Sequence, residues 1–301
     1  MGRASVPGPL INTTIAATTP GWRVIAGAGT APGKLTGPTY LAVDKQGNVY
    51  VSDTGNHRIQ KLSPSGQFFA QWGTYGYAPG QFKSPTGIAV GSQGNIYVAD
   101  MEVHCVQKLS PSGEPLAELG RKGRRPGQFE SPQGVTLDSQ GNIYVADMSN
   151  CRIQKMASNG QVLAEWGMGG SRLGQFNYPM GIAVDAQGNV YVADWGNNRV
   201  QKLSPDGRPL AQWGTKNARS VEFNRPVGIA LDISGNIYVV EQENDRIQKL
   251  SPEGEPLAQW GSKGTESGQF DFPIGIAIDA KGNLYVAESG NSRIQKLPAK
   301  L

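Results

Sequence analysis

Short runs rich in valine, isoleucine, tyrosine and tryptophan alternate with clusters of Gly, Pro, Asn, Asp and Ser along the whole chain, and no apolar stretch keeps a helical period. That is the pattern of strands and tight turns. The turns recur in phase. Gly-Asn-(Ile/Val/Leu)-Tyr-Val begins at residues 47, 94, 141, 188, 235 and 282, each 47 residues after the last. Fixed-period self-similarity signals a repeat architecture.

One copy predicts four strands. The first is roughly Gly87–Val90 and the second Ile96–Asp100, joined by a Gly94-Asn95 turn whose residue types accept positive φ. The third is Val106–Leu109 and the fourth Pro115–Leu119, joined by Ser110-Pro111-Ser112-Gly113. Four antiparallel strands repeated six times predict an all-β fold, a six-bladed β-propeller. Trp72, Trp166, Trp213 and Trp260, with Leu119 as the exception, fall on the fourth strands. Phe82, Phe129, Phe176, Phe223 and Phe270, with Leu35 in the first copy, recur just before each blade. Both series read as core. The last copy stops after Arg293–Leu297 without a fourth strand, and an orphan strand, Trp22–Gly27, precedes the first copy. The N-terminal strand is therefore expected to complete the last blade and close the ring. Residues 1–20 read as an N-terminal extension and 21–301 as one propeller domain.

The phrases Pro-x-Gly-Ile-Ala-Val-Asp, Gly-Asn-Ile-Tyr-Val-Ala-Asp, Asn-x-Arg-Ile-Gln-Lys and the Trp-Gly strand end resemble the NHL repeat over roughly residues 22–297. The resemblance implies a six-bladed propeller. NHL propellers serve as RNA- and protein-binding modules, as sensor domains of bacterial kinases and, in one branch, as an amidating lyase. The zinc centre of that lyase branch uses several histidines, and this chain has two, His57 and His104.

Composition changes the picture little. The chain has 301 residues, with Gly 41 and Pro 20 in keeping with many turns. Its net charge of +4, from 28 basic and 24 acidic residues, does not by itself call for a nucleic-acid partner. Two cysteines, Cys105 and Cys151, do not make a disulfide framework. No run is long and apolar enough to span a membrane, and the first twenty residues lack a continuous apolar signal core. The chain reads as a monomer without a membrane partner, cytoplasmic or secreted with its signal removed.

Function is expected on the face that carries the loops after strands two and four, because those loops vary between copies while the turns opposite hardly change. The loop after strand two reads Asp-x-x-Asn-x-Arg in Asp53/Asn56/Arg58, Asp147/Asn150/Arg152 and Asp194/Asn197/Arg199, with Glu241 and Glu288 replacing Asp in the last copies. An acid–guanidinium pair with Asn holding the turn is the structural reading. The second copy breaks the rule: Val103 replaces Asn and Cys105 replaces Arg, so Asp100 loses its expected partner. His104 aligns with His57 and Cys151. Equivalent positions on neighbouring blades stand too far apart for one zinc, so no metal or other cofactor is expected. Candidate acid–base groups are His104, His57, Asp100 and Glu102.

Residues flanking each blade's first Pro are expected to rim the channel mouth. Tyr178, Met180, Trp195, Met148, Met101, Gln133 and Phe272, with Arg225 at the edge, are the candidate ligand-binding residues. The loops joining blades are basic, most densely at Arg121, Lys122, Arg124 and Arg125, with Lys216 and Arg219 further on. A basic rim suits an anionic partner such as RNA, polysaccharide or an acidic peptide. No nucleophile elbow, phosphate loop or HExxH motif is present. Three readings follow: a module binding a small molecule, peptide or protein on its variable face; a small-molecule lyase, isomerase or cyclase in the channel mouth; or a consensus-like scaffold with no specific ligand.

Overall fold

The computed structural model describes residues 21–214 and 221–299. The expected N-terminal extension, and with it Lys216 and Arg219, lies outside them. The described residues form six sheets around an axis, antiparallel except where Lys34–Leu35 pairs parallel to Arg23–Ala28, with helix confined to three single turns, Thr54–Asn56, Met148–Asn150 and Trp195–Asn197. Blades one to five run Leu41–Trp72, Pro85–Leu119, Pro132–Trp166, Pro179–Trp213 and Pro226–Trp260. Each is numbered outward from its innermost strand.

Blade six has three strands of its own, ending with Arg293–Leu297, and Arg23–Ala28 adds antiparallel to that last strand, pairing Arg23 with Lys296, Val24 with Gln295 and Ala26 with Ile294. Ring closure by the N-terminal strand is thus realised. Strand limits differ slightly from expectation. Blade two's first strand begins at Pro85 and its third at Cys105, because antiparallel pairing of Pro85 with Asp100 and of Asp100 with Cys105 extends the ladder to the loop face.

A four-stranded sheet cannot bury two faces alone, and here each face packs on a neighbouring blade. The Phe series and Leu35 are buried at these interfaces, as are most of the Val, Ile and Tyr positions of the second strands. The fourth-strand tryptophans cover the turn of the next blade: a methyl group added to Gly113, Gly207 or Gly254 would overlap the indoles of Trp72, Trp166 or Trp213. Nearer the axis the backbones meet. A Cβ at Gly87, Gly134, Gly181, Gly228 or Gly275 would collide with the inner strand of the next blade. The first copy breaks that glycine series with Tyr40, and its inner strand, Leu41–Val43, has three residues where blade two has six.

Candidate functional site on the loop face

The carboxylate ring is part of the frame. Asp53, Asp100, Asp147, Asp194, Glu241 and Glu288 are all fully buried. Each accepts a backbone N–H from the segment that enters its blade, at 2.7 Å for Thr36, Lys83, Glu130 and Asn177, 3.0 Å for Asn224 and 3.1 Å for Asp271. In blade four Arg199 Nε and Asn197 Nδ2 also donate to Asp194, at 2.7 and 2.9 Å, and the same guanidinium caps the carbonyls of Arg172 and Gln175. The buried charge is therefore paired and hydrogen-bonded. Asp100, which has no guanidinium, accepts from Lys83, Ser84, Glu102 and Val103 backbone N–H groups instead.

A second ring explains the aligned His57, His104 and Cys151. These residues and Asn198, Asp245 and Ser292 all adopt a left-handed backbone with φ between 46 and 63°. Four of them hold the next blade: His104 Nδ1, Asn198 Oδ1, Asp245 Oδ1 and Ser292 Oγ accept the N–H of Ser131, Arg225, Phe272 and Gly37 at 2.9–3.1 Å. Accepting at Nδ1 puts the proton of a neutral His104 on Nε2, so neither nitrogen offers a free lone pair. Burial, and Lys122 after it, hold the imidazole below the usual histidine range. His57 differs. Its Nδ1 lies 2.6 Å from the Lys83 carbonyl and must donate, which leaves the Nε2 lone pair free. Among the described residues no group of three or more His, Cys, Asp or Glu is arranged to hold a metal.

Three of the four candidate acid–base residues converge on Lys83. His57 donates to its carbonyl, Asp100 accepts its N–H, and Glu102 pairs with its Nζ at 2.9 Å. Lys83 Nζ also donates to Tyr77 Oη at 2.9 Å and lies 4.9 Å from that ring's centre. These bonds, Tyr77 first, hold the ammonium above its usual range. Tyr75 stands edge-on to His57 at 4.9 Å and is exposed, as is Tyr77. Lys83 itself lies among the basic residues of the loops that join blades. The signal for the cluster was the aromatic pair Tyr75 and Tyr77, which sits where the next inter-blade loop reads Lys122 to Arg124.

The apolar candidates gather over blades four to six. The Arg225 guanidinium stacks 3.9 Å above the Trp195 ring, with Tyr178 edge-on to the same indole at 6.2 Å. Trp195 Nε1 donates to Gln242 Oε1 at 3.4 Å, and Glu243 lies 3.9 Å from Arg225. Tyr178 and Phe272 are each 45% exposed, and Lys263 lies over the Phe272 ring. Tyr178, Arg225 and Phe272 occupy left-handed backbone positions immediately before proline, where Gly37 stands in blade one. Such positions are strained for side chains with a Cβ. Bulky groups thus form a wall on one half of the face, while Gly37, Ser84 and Ser131 leave the other half low.

The expected open channel mouth is corrected by this geometry. Gln133, Thr86 and Val227 are buried, and Met180 and Ile274 pack with Val227 in one apolar cluster that includes Tyr40. Tyr40, Met180, Val227 and Ile274, from blades one, four, five and six, pack together rather than rim an open mouth. Met101 and Met148 are half-buried in their loops. Arg121, Lys122, Arg124 and Arg125 are exposed on the outer rim, Arg124 lying 3.8 Å from Glu130. No helix of the described residues is long and apolar enough to cross a membrane.

Fold and loop chemistry define a six-bladed β-propeller whose variable face carries an aromatic–guanidinium wall and a histidine–lysine–carboxylate cluster. The family model described as the virginiamycin B lyase family matches residues 29–295, and the chain belongs to that family. Among solved structures it is similar to a streptogramin B lyase, at 18% identity and a TM-score of 0.67, covering 93% of this chain and 98% of that one. It is also similar to a catalytically inactive histidine-to-alanine variant of virginiamycin B lyase from Staphylococcus aureus with quinupristin, at 16% identity and a TM-score of 0.62, covering 87% and 80%. A gluconolactonase from Xanthomonas campestris gives 14% identity and a TM-score of 0.66, covering 94% and 96%. At these identities the likeness is one of fold. Comparison with curated proteins gives no match.

Proposed function

We propose that the chain binds a small molecule against the wall formed by Tyr178, Trp195, Arg225 and Phe272. The observation that carries this reading is the guanidinium stacked 3.9 Å above an indole on the variable face. That arrangement offers a flat apolar body one surface and an acceptor oxygen one charged donor. Family membership and the quinupristin seated on a relative support a small-molecule ligand over a peptide or protein. The NHL-like phrasing of the repeat remains our reading of how the blades are written. Quinupristin itself is the first probe. Isothermal titration of the wild-type chain and of the Arg225→Ala/Trp195→Ala double variant tests the wall: binding lost in the variant at unchanged melting temperature supports it, and undiminished binding refutes it.

A second reading, a lyase, rests on the family and on the cluster at Lys83. His57 Nε2 is the histidine nitrogen with a free lone pair, so His57 is our candidate base, with Glu102 and Lys83 beside it. Chromatographic loss of quinupristin over time, abolished by His57→Ala while binding persists, supports turnover. Binding without loss leaves the chain a binding module.

A further inference from the structure

The axis is not one tube. Below the layer of Tyr40, Met180, Val227 and Ile274 a cavity of about 280 Å³ is lined by the inner strands of all six blades. Its end remote from the loop face is lined by the last residues of those strands, Val43, Val90, Leu137, Val184, Leu231 and Ile278, all half-buried. The other five copies carry glycine at the position aligned with residue 40, and Tyr40 puts a phenol at the loop-face end of the cavity instead. Its phenol is 8% exposed, and its hydroxyl has no hydrogen-bond partner among the described residues.

The lining has a definite chemistry. It contains no charged side chain among the described residues. Each innermost strand is the free edge of its sheet, so alternate backbone N–H and C=O groups face the axis unpaired by protein. Thr136 stands on this wall where the other copies have Ala42, Ala89, Ala183, Ala230 and Ala277, and its hydroxyl makes no hydrogen bond among the described residues. Two inner-strand departures from the repeat, a phenol at one end of the cavity and a hydroxyl on its wall, thus bear on the same space. Its volume falls just under the range of about 300–1,000 Å³ for small-molecule pockets.

We propose that this axial cavity is a second ligand site, taking a small uncharged ring compound that carries an amide or lactam edge. The donor–acceptor edge pairs with an inner strand as an added strand would, and the apolar ring lies against the aliphatic rim. A charged ligand is disfavoured because the lining offers only neutral dipoles and no side chain of opposite charge to offset its desolvation.

The test uses the full chain, with ε-caprolactam as probe and cyclohexanecarboxylate as its charged counterpart, followed by saturation-transfer NMR and crystal soaking. We expect millimolar binding of the lactam with density on the axis and no binding of the carboxylate. Leu231→Asp should weaken the lactam about tenfold or more, and Arg225→Ala should leave it unchanged. Should Leu231→Asp fail to fold, Val184→Thr keeps the side-chain shape and should weaken binding about threefold. The proposal is overturned by a column of water alone on the axis, by equal binding of the carboxylate, by full affinity in the rim variants, or by loss in Arg225→Ala. That last result would move the probe to the loop face, and failure of the loop-face reading with quinupristin leaves the axial result untouched.

Discussion

Blades two and four are built on one plan and differ where the plan is chemically most demanding. Blade four keeps Asp185, Asn197, Arg199 and Trp213; blade two has Gly91, Val103, Cys105 and Leu119 at the same places. Asp185 ties its turn through the N–H groups of Gln187 and Asn189 and the amide of Asn189, a set that glycine cannot supply. Asp194 and Asp100 are equally buried, yet one is neutralised by a guanidinium and the other held by backbone amides. Both strands stay in register, with Asp194 opposite Arg199 and Asp100 opposite Cys105. The ion pair is thus one of two ways to bury that carboxylate, and the backbone geometry is the constant.

The sharpest way to break the comparison is to remove the charge from each acid. Asp194→Asn leaves Arg199 buried without its partner and should cost about 3–5 kcal/mol. Asp100→Asn keeps an acceptor for most of its amides and should cost about 1–3 kcal/mol. Urea denaturation of the two variants reads the difference; equal midpoints would mean that the guanidinium contributes no more than the amides. Next in size is the inter-blade turn. Both Gly207→Ala and Gly160→Ala place alanine at a left-handed φ, +83° and +87°, but Gly207→Ala must also displace the Trp166 indole, at about 2–3 kcal/mol in all, whereas Gly160→Ala meets beyond that only the movable end of Leu119, at about 1–2 kcal/mol. Thermal melts should rank them in that order.

Smaller effects sharpen the contrast at single atoms. Tyr40→Phe removes a buried hydroxyl with no partner in the described chain and should leave stability unchanged or raise it by about 1 kcal/mol; a loss of that size would reveal a bond to that oxygen. His104→Asn substitutes the acceptor that blade four already uses in Asn198. His104 is held below its ordinary pKa of about 6.5, so the unfolded chain takes the proton first. Its contribution is complete above that value and is lost as pH falls through it toward the lower folded value. Melting temperatures between pH 7 and 5 should therefore fall less steeply in His104→Asn than in the wild type, and parallel profiles would remove His104 from the clasp.

The frame was readable because repetition writes it six times. The 47-residue step fixed blade number, strand order and the closing role of the strand after Trp22. The acid–Asn–Arg pattern gave the buried pair in advance, since those residue types at that spacing have few other uses. The site was less readable, for a physical reason. Lys83, His57 and Glu102 meet only because two blades lie side by side, and no spacing within one copy encodes that contact. The clasp at 104, 198, 245 and 292 was visible only as the alignment of His104 with His57 and Cys151, and its purpose needed the left-handed backbone. Tyr40 was the plainest signal missed. It breaks a glycine column, and that column carries the closest approach of neighbouring backbones.

Closure by the leading strand also bears on how that strand finds its place. The third strands of blades one, five and six carry one sequence, Arg-Ile-Gln-Lys-Leu, at Arg58–Leu62, Arg246–Leu250 and Arg293–Leu297. Arg23–Ala28 pairs with the last of the three, while Phe68–Trp72 and Pro256–Trp260 occupy the same edge of the other two. Five shared letters therefore cannot choose the partner; the vacant edge beside them does.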